Sequence, residues 1–379
     1  MTKRIYTGCF IALLLLVAAS CKKPDFEAEQ QAQATGTISD YLNNNFDLSL
    51  FAAAVRKAGL MDSLDQAAAT FTVMAPTNSA LNKDSVFNPS DFDHWPEDSL
   101  RYFVRTHILS SKLFYSDVPL SSDNRYSNLN GVQLYLSRSN AANGTVPFTV
   151  NGVNVIKESS LSTTTTARFG ATQLNGVVYP LPNTIKVYPG TVQAFLQSRP
   201  YFSHLITGLK KFGYWEQMGS DGPFTVFAPS DSSFERRGMT LDSIGRMDIN
   251  HYDPVVFGGY FLKPNHVFVT DMAQLPPVSG VLSLPFQTPS ANYKLIMCQS
   301  AMGSGVGIVT AASASTSSLV IVSPYFSNPY GTQGTPFLGE PYWVLSLTTL
   351  NGAYINYTCS NGIVHLMADI VVMPEKVTK

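Results

Sequence analysis

Apolar positions along the chain fall into two recurring patterns. Leu48, Phe51, Val55 and Ala58 keep the i, i+3, i+7 spacing of one helix face and stop at Gly59. Phe202, Leu205, Ile206, Leu209 and Phe212 do the same and stop at Gly213, a glycine placed as a C-cap. Each predicted helix is followed by a short β-branched run, Phe71 to Ala75 and Phe224 to Ala228, which predicts a strand entering a core. Pro76 and Pro229 end these strands, because proline has no N–H to give to a ladder. Thr77-Asn78 and Ser230-Asp231 follow at once, and their short oxygens are placed to cap the first turn of a helix. Phe148 to Val155, with Asn151-Gly152 at its centre, reads as a hairpin.

These patterns belong to an internal repeat. Phe71-Thr72-Val73-Met74-Ala75-Pro76-Thr77-Asn78 recurs as Phe224-Thr225-Val226-Phe227-Ala228-Pro229-Ser230-Asp231. Asn175-Gly176-Val177-Val178-Tyr179 recurs, in the same order, as Asn361-Gly362-Ile363-Val364-His365. The Asn-Gly pairs predict tight turns, each leading into a last strand. The stretch between blocks is longer in the second copy, and the excess falls in about residues 299–350, where Gly, Ser, Thr, Pro and Tyr dominate. Such a composition predicts a large exposed loop or an added hairpin.

Two blocks, twice, in order, resemble the fasciclin (FAS1) family, whose signature is a T-F-T-V-F-A-P-T-D motif, a central Tyr-His pair and an N-G-x-I-H-x-I-D motif. The first copy carries the first motif at Phe71 to Asn78, the central histidine at His107, with Thr106 in place of tyrosine, and the last motif from Asn175, with Tyr179 at its histidine position. The second copy carries Phe224 to Asp231, Tyr260 at the central histidine position, and Asn361 to Asp369 with His365. The resemblance implies an α+β fold of two tandem modules, each a seven-stranded β-wedge or sandwich with several packed short helices. It places the modules at residues 37–188 and 190–377. It also implies structural roles for Phe71, Pro76, Asn78, His107, Asn175, Gly176, Tyr179, Phe224, Pro229, Asp231, Tyr260, Asn361, Gly362, His365 and Asp369. FAS1 modules generally act in cell adhesion and matrix association through surfaces.

The amino-terminal residues read as an export signal. Lys3 and Arg4 precede a short apolar core from Ile11 to Val17, and Ala18-Ala19-Ser20 leads into Cys21. That core is too short for a membrane-spanning helix, so residues 1–20 read as a cleaved peptide. The small residues before Cys21 and the polar Lys22-Lys23-Pro24-Asp25 after it resemble a bacterial lipobox, with Ala18 where leucine is usual. The expectation is a lipidated Cys21 on a flexible tether over residues 21–36, bringing the modules to a membrane without a transmembrane helix. Lys22, rather than aspartate, after the cysteine leans toward the outer membrane, and the resemblance as a whole is to envelope lipoproteins of the Bacteroidota type.

Charge and composition narrow the chemistry. A formal net charge of −1 and the absence of a basic run argue against nucleic acid as a partner. His107 and His365 sit among apolar neighbours, and tyrosine takes the histidine place in each paired copy, which a catalytic imidazole would not tolerate. His94, His204, His251 and His266 lack metal-ligand spacing. Gly303 to Gly307 lacks the lysine of a phosphate loop, and there is no Gly-x-Ser-x-Gly elbow. The expectation is a non-enzyme with no cofactor and no metal. Cys298 and Cys359 either pair in an oxidising compartment or stay as separate buried thiols. Tyr325, Tyr330, Tyr342 and Trp343, with Phe326 and Phe337, make the insertion a candidate surface for stacking on sugars or anchoring a protein; the alternative is that they pack the insertion onto its own module. The expected role is adhesion, or binding of a protein or glycan, by a lipid-anchored envelope protein. The alternatives are an accessory protein of polysaccharide capture and a periplasmic scaffold.

Overall fold

A computed structural model describes residues 34–138, 148–157, 169–262, 266, 268, 281–284, 295–298, 320–322, 345–346, 356–367, 370, 374–376 and 378–379. Residues 1–20, Cys21, most of the tether, Asp369, and Tyr325, Tyr330, Tyr342 and Trp343 lie outside the described residues. Among the described residues no helix is long and apolar enough to cross a membrane.

The first module begins with α1 (Ile38–Asn44), set by a capping box in which Thr37 Oγ1 accepts from Asp40 N while Asp40 Oδ2 accepts from Thr37 N at 2.9 Å. Next come α2 (Ser49–Lys57), which ends at Gly59 with φ +72°, and α3 (Met61–Asp65). Then follow β1 (Phe71–Pro76), α4 (Asn78–Lys83), α5 (Glu97–Thr106) and β2 (Ile108–Leu109). β3 (Asn124–Ser127), β4 (Gln133–Arg138), β5 (Phe148–Val150), β6 (Val153–Asn154), β7 (Ala171–Gln173) and β8 (Gly176–Leu181) complete the module. These eight strands form two four-stranded sheets, ordered β2-β1-β8-β7 and β3-β4-β5-β6. The architecture is α+β, as the motifs imply, and the described residues of this module hold eight strands where seven are expected.

Alternation explains why the first sheet is buried on both faces. Val73 and Ala75 of β1 and Val178 of β8 join the core made with α2 and α5, beside Phe51, Val55 and Val104. Met74, Val177, Tyr179 and Leu181 point the other way and pack against Leu134, Leu136, Phe148 and Val150 of the second sheet. The module is therefore a helical layer, a mixed sheet and an antiparallel sheet, with β1 and β8 at its centre.

The second module rebuilds this centre. It contains α6 (Val192–Gln197), α7 (Ser203–Lys211), β9 (Phe224–Pro229), α8 (Asp231–Glu235), α9 (Leu241–Gly245), α10 (Val255–Gly258) and β10 (Phe261–Leu262). β15 (Tyr357–Cys359) and β16 (Gly362–Met367) close its sheet in the order β10-β9-β16-β15. Between them the backbones of β11 (Val281–Leu284), β12 (Leu295–Cys298), β13 (Val320–Val322) and β14 (Leu345–Ser346) form an antiparallel sheet. β1 and β8 run parallel from Phe71↔Gly176 to Pro76↔Leu181, and β9 and β16 run parallel from Phe224↔Gly362 to Pro229↔Met367. The register is the same to the residue.

The connection between modules is itself paired. β8 ends at Leu181, short of the sequence-based boundary at Tyr188 to Gly190. The segment then runs beside β15: Thr358 N donates to Lys186 O at 2.9 Å, Tyr188 N to Thr358 O at 2.8 Å, and Ser360 N to Gly190 O at 3.0 Å.

Candidate functional site

The repeated polar residues turn inward. Asn175 is buried: its Oδ1 accepts from Ile38 N at 2.9 Å and its Nδ2 donates to Leu64 O at 2.8 Å and Gln66 O at 3.2 Å. Asn361 makes the same set, with Oδ1 accepting from Val192 N at 2.8 Å and Nδ2 donating to Met218 O at 3.0 Å and Ser220 O at 2.7 Å. An amide is needed at this place because one side must accept and the other donate twice. The glycine after each has a steric reason. A Cβ on Gly176 would lie 1.9 Å from Phe71 O, and one on Gly362 would lie 2.7 Å from Phe224 O.

Asn78 and Asp231 do not cap the helices they begin, which corrects the expectation from sequence. The cap of α4 is Thr77, whose Oγ1 accepts from Ala80 N, and Ser230 precedes α8 without a side-chain cap. Instead each side chain reaches back to the start of the earlier amphipathic helix. Asn78 Oδ1 accepts from Leu50 N at 2.9 Å, and its Nδ2 donates to Phe46 O at 2.8 Å and Ser49 Oγ at 2.9 Å. Asp231 Oδ1 accepts from His204 N at 2.8 Å, and its Oδ2 accepts from Ser203 Oγ at 2.7 Å. Both satisfy orphan donors at a helix N-terminus across the module.

The four motif aromatic positions are fully buried. His107 Nδ1 lies 2.9 Å from Phe103 O, and its Nε2 accepts from Ile185 N at 3.1 Å, which fixes a neutral Nδ1–H tautomer. Burial pushes its pKa down to about 4, against the Phe103 carbonyl, which holds it up. Tyr260 occupies the matching place: Met74 N donates to His107 O and Phe227 N to Tyr260 O, each at 2.8 Å. Tyr179 donates its hydroxyl to Leu113 O at 2.9 Å, and in the other module His365 Nδ1 accepts from Asn356 N at 3.1 Å. Neither motif histidine is open to a substrate. Phe71, Pro76, Phe224 and Pro229 bound the two paired central strands.

The module junction gathers polar groups that the sequence did not single out. Asn151, at φ +45° in the β5–β6 turn, accepts from Tyr135 N at 2.7 Å and donates to Thr358 Oγ1 at 3.0 Å. Asn356, at φ +62°, donates to Gly152 O at 3.2 Å. Tyr135, Phe268 and Ile363 form a small apolar cluster across the same junction, and His266 lies 3.8 Å from Asp123 Oδ2. Burial pushes Asp123 up to about 6 and His266 down to about 4. Cys359 is a free, buried thiol pushed up to about 12 by burial, and the side chain of Cys298 lies outside the described residues. Among the described residues no group of three or more His, Cys, Asp or Glu side chains is placed to hold a metal.

A family model, the fasciclin domain, matches residues 46–179. The chain carries a fasciclin domain. The match runs from just before α2 into β8 of the first module, including both motif blocks and His107, and the register of β1 against β8 is the one repeated by β9 and β16. Among solved structures, a FAS1 domain pair from the insect cell adhesion molecule fasciclin I is similar at 17% identity, over 87% of this chain and 97% of that one, with a TM-score of 0.37. The comparison with curated proteins gave no match.

Proposed function

We propose that this chain is an exported lipoprotein, anchored through Cys21 to the outer membrane, whose fasciclin module and its diverged second copy mediate adhesion or bind an extracellular protein or glycan. The observation that carries this reading is the inward use of every described motif residue. Asn175, Asn361, Asn78, Asp231, His107 and His365 are all engaged by their own module's backbone. Burial of both motif histidines supports a role for the module surfaces. The fasciclin match over the first module supports the same reading, since such modules generally act through their surfaces.

Protease shaving of intact cells, with an antibody to the second module and a Cys21→Ala control, tests it. Loss of the band from intact cells, dependent on Cys21, supports a surface-displayed adhesin. Protection until the outer membrane is opened sinks that reading in favour of a periplasmic scaffold.

A further inference from the structure

A cavity at the junction is walled by both modules. Gly152 and Val153 of the β5–β6 turn, Asn183, Thr184 and Lys186 of the connecting segment, and Asn356 line it. Most polar atoms of this wall are already engaged. Asn183 Oδ1 accepts from Lys83 Nζ at 2.9 Å, and the Thr184 hydroxyl donates to Asp84. Two donors remain without a hydrogen-bond acceptor among the described residues, the Asn183 Nδ2 and the Lys186 ammonium. The Lys186 side chain is only 18% exposed. Its nearest carboxylate oxygen, Asp84 Oδ1, is 3.9 Å away, and its ammonium lies 5.5 Å from the centre of the Tyr357 ring. The ammonium therefore keeps donors for an oxygen brought into the cavity, which would replace solvent as their acceptor.

The acceptor that suits these donors can be described by its chemistry. Lys186 and Lys83 carry two positive charges against one on Asp84, so the site has a surplus of a single positive charge and unpaired donors. That complements a monoanion with paired oxygens. The cavity has room for only a small group, which suits a carboxylate and leaves a larger phosphate dianion poorly matched in size and charge. We propose that the junction cavity is a subsite for one carboxylate group, received by Lys186 Nζ and Asn183 Nδ2, with Lys83 holding the Asn183 amide from outside the lining. Both a uronic acid of an acidic glycan and the end of a peptide present that group. The proposal rests on the binding reading above and names its chemistry.

Saturation-transfer NMR on the full chain in detergent tests it, with sodium glucuronate, N-acetylglycylglycine, glucose and inorganic phosphate as probes. The expected result is millimolar binding of at least one carboxylate and none of glucose. Lys186→Met should weaken that binding at least tenfold and Lys83→Met about twofold to threefold, since Lys83 acts through Asn183 and its own charge is screened by solvent. Glucuronate alone identifies an acidic glycan, the dipeptide alone a peptide end, and both together the carboxylate itself. Absence of carboxylate binding, or binding unchanged in Lys186→Met, overturns the proposal, as does phosphate binding as well as the carboxylates. Should Lys186→Met fail to fold, Asn183→Ala and Lys83→Met carry the test. The shaving experiment reads location and this one reads chemistry, so either can fail while the other stands.

Discussion

Asn361 holds the second module together through the same three hydrogen bonds that Asn175 makes in the first: one backbone N–H at the start of the leading helix and two carbonyls before the central strand. Each amide ties the amino-terminal helix, the segment before the first motif strand and the last motif strand at a single point. The partner residues differ completely in sequence, yet the hydrogen-bond set is kept because the targets are backbone atoms.

Replacing Asn175 by Ala leaves one buried donor and two acceptors without partners. At about 1 kcal/mol per bond, plus the cost of leaving the groups unsatisfied, the loss is roughly 3 kcal/mol. Asn361→Ala is expected to cost less, because Asn361 is only partly buried. Asn175→Asp is no rescue, since a carboxylate facing the carbonyls of Leu64 and Gln66 is repelled by both. Urea unfolding of the three variants checks the order, and a milder effect at Asn175 than at Asn361 would refute it.

His107 makes stability fall with acid. Its folded pKa is depressed to about 4 from 6.5, so the neutral form is the one the fold requires. The contribution is complete above about pH 6.5 and is lost as pH falls toward 4, an effect on the order of 3 kcal/mol in all. His107→Gln removes this slope at the expense of stability at neutral pH, and urea midpoints between pH 7 and 4.5 read it. If the variant keeps the wild-type slope over that window, His107 is not its source.

Steric room separates glycines that the sequence alone treats alike. Gly176→Ala drives a Cβ to 1.9 Å from a backbone oxygen, Phe71 O, in the central β1–β8 pair. Relief requires moving that pair apart, so the expected loss exceeds about 3 kcal/mol and the soluble yield collapses. Gly245 ends α9 with nothing within 4 Å of the place an added Cβ would take, and its φ is not positive. Gly245→Ala is expected to be neutral or to stabilise by up to about 1 kcal/mol through helix propensity and unfolded-state entropy. Thermal melts are expected to place Gly176→Ala well below the wild type and Gly245→Ala at or above it, and two equal melts would count against the packing described.

The repeat was legible because its parts are local: a strand closed by proline, an Asn-Gly turn, and a helix face ending at glycine. That sufficed for the α+β architecture and for reading His107 and His365 as core residues. What Asn78 and Asp231 do was not legible. A polar residue after a strand-ending proline reads as a cap for its own helix, whereas its partners are Leu50 N and His204 N, a full helix earlier in the chain. The junction was hidden for the same reason. Asn151 meets Thr358 and Asn356 meets Gly152 only after both modules have folded, and neither pair leaves a periodic or compositional trace. Lys186 looks like an ordinary linker lysine until β15 and Asp84 close around it.

The junction also predicts how the modules unfold. Thr358 joins the connecting segment through both its backbone groups and takes the Asn151 amide on its hydroxyl, while Asn356 reaches back to Gly152. Thr358→Val keeps the shape of the side chain and strands the buried Asn151 Nδ2, at about 1–3 kcal/mol. Asn356→Gly keeps the positive φ of +62° and removes the amide. Coupled modules unfold in one transition, whereas loosened ones separate according to their own stabilities. The wild type is therefore expected to lose circular dichroism and tryptophan fluorescence at one urea midpoint. The double variant should show two non-coincident transitions, because the bonds removed are those that join the modules and not those that build either core. Coincident transitions in the double variant would mean that the apolar cluster of Tyr135, Phe268 and Ile363, together with the paired connection, couples the modules without these side chains.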